Sequence, residues 1–77
     1  MSSLLLDAID RDGYEWLVTN APHYIAAIEG ELRQGATPEQ IRYMVSRNVG
    51  PDRQGLALRC EQAARYLRRT LEREARP

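Results

Sequence analysis

Gly35-Ala36-Thr37-Pro38-Glu39-Gln40 closes one helix and opens the next within six residues. Gly35 can take the left-handed conformation that ends a helix after Leu32-Arg33-Gln34. Thr37 is placed to cap the following helix, and Pro38 suits a first helical position, where its missing N–H has no intrahelical partner to lose. Gln40 stands where a capping-box side chain reaches back to the Thr37 backbone. The stretch therefore predicts a helical hairpin.

Reading outward, Ser3 to Thr19 carries Leu5, Leu6, Ile9, Trp16 and Leu17 at helical spacing. Asp12-Gly13 interrupts that run with a turn signal, which predicts two short helices or one kinked helix. Asn20 is expected to cap the next helix with Pro22 in its first turn, and Ala21, Ile25, Ile28 and Leu32 share one stripe. A third helix, Pro38 to about Asn48, buries Ile41, Met44 and Val45, and Gly50-Pro51 stops it. The last helix begins at Pro51 or Asp52 and is the longest. Leu56, Cys60, Ala63, Ala64, Leu67, Leu71 and Ala75 fall within one arc of it, and its opposite arc is basic. Run to Ala75, it would be about 36 Å long against about 16 Å for the third helix, so its end should project beyond the core. No alternating strand pattern of useful length is present. The expected fold is a single all-α domain over residues 1–77, a small bundle of four to five helices with a long C-terminal helix.

Composition sets limits on function. Eleven basic and eleven acidic residues balance, so net charge gives no global pull toward nucleic acid or an anionic membrane. All the basic residues are arginine, a bias that genome composition commonly produces. One cysteine excludes an internal disulfide framework, and Leu4-Leu5-Leu6 is too short for a signal or an anchor. A cytoplasmic protein is expected. At this length burial is limited, so oligomerisation would add stability.

Asp10-Arg11-Asp12-Gly13 is similar to the start of a calcium loop, but aligning Gly13 to the loop glycine puts Ala8 at the first ligand position and Thr19 at the last. A plain turn is the better reading. Gly35 through Ile41 resembles the opening of helix-turn-helix motifs in bacterial regulators, which would imply sequence-specific DNA binding. The rest departs from that pattern, with Arg42 for the usual small residue, Ser46 for the turn glycine, and Asp52 and Gly55 at later apolar positions.

His23 and Cys60 are too few for a metal site, and a buried Cys60 is a poor nucleophile. No cofactor, metal or small-molecule ligand is expected, and no enzyme. Arg65, Arg69, Arg73 and Arg76 share one helix side, with Arg59 and Arg68 on its flanks, and could face phosphates, but neighbouring Glu61 and Glu72 also allow ordinary solvated ion pairing. Tyr43 with Arg47 one turn on, and Tyr66 between arginines, have the residue chemistry of a protein-binding surface.

The expectation is a small non-enzymatic interaction module, adaptor or regulatory in kind. Partner-binding residues are Tyr43, Arg47, Tyr66, Arg69 and Arg73. Self-association as a homodimer is expected through Leu67, Leu71 and Ala75 of the C-terminal helix. The alternative is a small nucleic-acid-binding protein using the arginine face.

Overall fold

A computed structural model describes residues 4–75 of the chain. Among them lie four α-helices and one short 3₁₀ turn: α1 (Leu4–Asn20), α2 (His23–Arg33), α3 (Pro38–Val49), the turn Pro51–Arg53, and α4 (Gln54–Glu74). The all-α character and the long last helix match the expectation, although α4 starts at Gln54 and ends at Glu74.

The α2–α3 hairpin forms as its sequence requires. Gly35 has φ of 99°, and the chain folds back so that the Ala36 N–H donates to the Glu31 carbonyl and the Gly35 N–H to the Leu32 carbonyl. That pair of bonds satisfies carbonyls that the end of α2 would otherwise leave open. Across the junction the Gln40 N–H donates to Thr37 Oγ1 at 3.1 Å while the Thr37 N–H donates to Gln40 Oε1 at 2.9 Å, a complete capping box. At the other end of α3, Gly50 has φ of 77°, and Gln54 Nε2 donates to its carbonyl at 2.8 Å, tying the close of α3 to the start of α4.

Two local expectations fail. Asp12-Gly13 does not divide the segment into two short helices, because α1 is a single helix from Leu4 to Asn20. Gly13 is buried instead against α4: a Cβ there would lie 2.6 Å from Gln62 Cβ and 3.3 Å from the Arg59 carbonyl oxygen. The glycine serves helix approach, and the helical hydrogen bonds of α1 override its low propensity. Asn20 does not cap α2 either. It ends α1, where its Nδ2 donates to the Trp16 carbonyl at 2.9 Å, and α2 begins after Pro22 with no side-chain cap.

α4 is the hub. It packs most extensively against α1 and α3, less against α2, while α2 and α3 touch each other little. Pairs such as Asp10 with Arg69 and Trp16 with Arg59 show that α1 runs antiparallel to α4, and Arg42 with Glu61 and Ser46 with Gln54 show the same for α3. The core is Leu17, Ala21, Ile28, Ile41, Leu56, Cys60, Ala63, Ala64 and Leu67, ringed by Tyr14, Tyr24, Ile25, Leu32 and Val45. Ala57, Ala63 and Ala64 are fully covered, and such small side chains let neighbouring helices lie close on α4. Met44, expected inside, is 38% exposed. The last turn of α4 is exposed from Glu72 onward, while Leu71 and Ala75 line a shallow depression with Leu32, Gly35, Ala36 and Thr37. No helix among the described residues is long and apolar enough to cross a membrane.

Candidate functional site

The arginine face is built into the fold. Asp10, only 2% exposed, accepts from Arg65 Nε at 3.2 Å and from Arg69 at 2.8 Å, and Arg69 also lies 3.2 Å from Asp7. Glu61, also buried, accepts from Arg65 Nη1 at 2.8 Å and from Arg42 Nη1 at 3.0 Å. One chain of ion pairs thus runs from Arg42 on α3 through Glu61, Arg65, Asp10 and Arg69 to Asp7 on α1. Burial alone would lower the Arg65 pKa, but its hydrogen bonds to Asp10 and Glu61 outweigh that and raise it above the ordinary arginine value. The sequence placed Glu61 on a solvated border and missed Asp7 and Asp10 as counterions. The signal was available in Asp7 and Asp10, which sit three apart on α1 and share a helix side.

Tyr66 is not a free anchor. Its ring lies 4.8 Å from that of Tyr14 and the residue is half-buried between α1 and α4. Beside it an open cleft of about 440 Å³ is lined by Asp7, Ala8, Arg11, Tyr66, Arg69 and Arg73. Arg76 lies outside the described residues. Of the expected self-association residues, Leu67 is 8% exposed and belongs to the chain's own core, Leu71 is half-buried, and Ala75 is exposed. Leu67 is covered by α4's own neighbours, so it is not a surface contact in this conformation.

The expected partner residues therefore fall in two places. Tyr66, Arg69 and Arg73 meet at the α1–α4 cleft, whereas Tyr43 and Arg47 stand on the outer face of α3. Tyr43 is 61% exposed, and Arg47 Nη1 donates to its hydroxyl at 3.2 Å with the guanidinium 5.6 Å from the ring centre. On a different side of α3, toward α2, lies an open groove of about 320 Å³. Its apolar wall is Tyr24, Ala27, Ile28, Ile41, Met44 and Val45, with Glu31 and Asn48 at its ends. The sequence reading missed this groove because it counted Met44 as core and gave Tyr24 no role.

Cys60 and His23 line neither the cleft nor the groove. Cys60 is fully buried, and desolvation pushes its thiol up to about 11. His23 is exposed at the start of α2, its ring 4.7 Å from that of Tyr24. Among the described residues no group of three His, Cys, Asp or Glu side chains is gathered as a metal site would need. Comparisons with protein-family models, with curated proteins and with solved structures gave no match.

Proposed function

We propose that the chain is a small non-enzymatic protein–protein interaction module, adaptor or regulatory in kind, working through the α2–α3 face. One observation carries this reading: α3 presents exposed side chains in two directions, Met44 on the apolar groove toward α2 and Tyr43, whose ring is held by Arg47, on its outer face. Burying that surface against a partner would gain about 25 cal/mol per Å² of apolar area removed from water. Tyrosine and arginine, as at Tyr43 and Arg47 on the outer face of α3, are among the residue types that dominate binding energy in such interfaces. Self-association belongs to the same proposal, with half-buried Leu71 of α4 and exposed Ala75 just beyond it as further apolar contacts. The test is a photo-cross-linking amino acid placed at Tyr43 and, as control, at exposed Asp52, in cells that make the protein. Adducts specific to position 43 support the reading. Equal adducts at both positions, or none, count against it.

A second reading, nucleic-acid binding through the arginine face, keeps some support from Arg11, Arg69 and Arg73 around the α1–α4 cleft. It is weakened because Arg65 and Arg69 are engaged by buried carboxylates. Titration of labelled duplexes at low ionic strength separates the two. Binding that falls steeply with salt supports the second reading, and none up to about 100 μM removes it, since non-specific complexes are typically tighter than that.

A further inference from the structure

Glu39, Tyr43 and Arg47 recur every four residues along α3, all three exposed. They form one ridge of the helix, with an acid about 6 Å before the tyrosine and a base about 6 Å after it. Such a ridge is complementary to its own reverse. We propose that the occupant of this face is a second copy of the chain, paired through α3 about a twofold axis at Tyr43. The inference rests on the reading of the chain as an interaction module that works through α3, and names its partner.

In that pairing the two α3 helices run antiparallel. Glu39 of each copy meets Arg47 of the other, and the two Tyr43 rings meet on the axis. A parallel arrangement would set Glu39 against Glu39 and Arg47 against Arg47, so charge selects the antiparallel one. A twofold contact is isologous, which makes each charge pair occur twice for one choice of residues. Met44, on the adjacent ridge and 38% exposed, brings the apolar groove to the edge of the contact. The other cations near this face are occupied: Arg42 by Glu61 at 3.0 Å and Arg33 by Glu29 at 2.8 Å. Arg47 has no carboxylate partner among the described residues, only the Tyr43 hydroxyl and ring.

The experiment is sedimentation of the full chain from about 5 to about 200 μM, which brackets a Kd of tens of micromolar, for the wild type, Glu39→Arg, Arg47→Glu and an equimolar mixture of the two variants. The wild type should dimerise. Each variant alone sets like charges against each other twice and should weaken the dimer at least about tenfold. Mixing them restores two opposite pairs, so the mixture should dimerise again as a heterodimer. Misfolding cannot produce that rescue, because the same chains are present separately and together. Should either variant lose its helical circular dichroism, Tyr43→Ala decides, and an unchanged Kd there overturns the proposal. A wild type that stays monomeric throughout overturns it as well, while cross-links from position 43 to a different protein would leave the broader reading standing. Dimerisation that neither variant weakens, or that mixing does not restore, places the contact elsewhere and rejects the α3 twofold.

Discussion

Gly13→Ala and Gly30→Ala are the same chemical change in two helices and should move stability in opposite directions. Both replace a helical glycine with the residue of highest helix propensity, a gain of up to about 1 kcal/mol in each case. At Gly30 a new methyl meets nothing within 4 Å, so the gain should appear undiminished. At Gly13 the methyl carbon would stand 2.5 Å from Gln62 Oε1 and 2.6 Å from Gln62 Cβ. The amide tip can rotate away. The Cβ cannot, so α1 and α4 must move apart along their most extensive contact, and overpacking of that kind costs about 1–3 kcal/mol. Propensity cancels between the two variants, so their difference isolates the clash at about 1–3 kcal/mol. In a domain of this size each kcal/mol shifts the melting midpoint by roughly 4–8 °C. Urea unfolding with an unchanged slope gives the free energies directly. In a Gln62→Ala background the flexible tip is gone but the Cβ remains, and the penalty of Gly13→Ala should persist. If both glycine variants stabilise equally, α1 does not approach α4 as closely as Gly13 implies, and the account of its burial is wrong.

The remaining predictions concern the junction, the ion chain and the thiol. Thr37→Ala should cost about 1 kcal/mol by removing one half of the capping box, and Gly35→Ala should also destabilise because its φ of 99° disfavours a side chain, both read by thermal melting. Asp10→Asn should cost about 2 kcal/mol by urea unfolding, between the value of an exposed pair and that of breaking a fully buried one, since the arginines are half in water. Arg65→Lys keeps the charge but not the fork that reaches Asp10 and Glu61 together, so it should lose about 1 kcal/mol in the same assay. Cys60 should resist thiol reagents at pH 8 until the chain unfolds. Its folded pKa lies above the ordinary 9.0, so the folded state holds the proton longer. Stability should therefore be unaffected below pH 9 and fall as pH rises from 9 toward 11, an effect absent in Cys60→Ala.

The sequence yields whatever depends on neighbours in the chain. The hairpin junction is legible in six residues because capping box, first-turn proline and C-terminal glycine are all local devices. The stripe Leu56, Cys60, Ala63, Ala64 and Leu67 is legible because periodicity alone selects the buried side of a long helix. Gly13 misleads because two unlike requirements, a turn and a close approach, call for the same residue, and the one met here is set by a residue 49 positions away, Gln62. Asn20 misleads for a related reason, since an amide that can cap the start of one helix can as readily bond a carbonyl at the end of the one before. The surface followed the same division. Tyr43 and Arg47 face outward as their place on α3 requires, while Tyr66, on equally good spacing, is covered by Tyr14 from a helix whose packing the spacing could not specify.

The arginine stripe shows most plainly why composition alone misjudges a surface. Net charge of zero says that acids and bases are equal in number, not where they meet. Here the acids that matter come from α1 and from the inner edge of α4, and burying Asp10 and Glu61 would be costly without opposite charges beside them. Arg65 meets that need for both carboxylates through separate nitrogens, Nε for Asp10 and Nη1 for Glu61, which a single ammonium could not do in the same plane. Arginine at this position therefore has a structural reason whatever the bias of the genome. Arg42, Arg65 and Arg69 are drawn into the α3–α4–α1 seam, whereas on the outer ridge of α3 Arg47 stands beside Tyr43 and opposite in charge to Glu39.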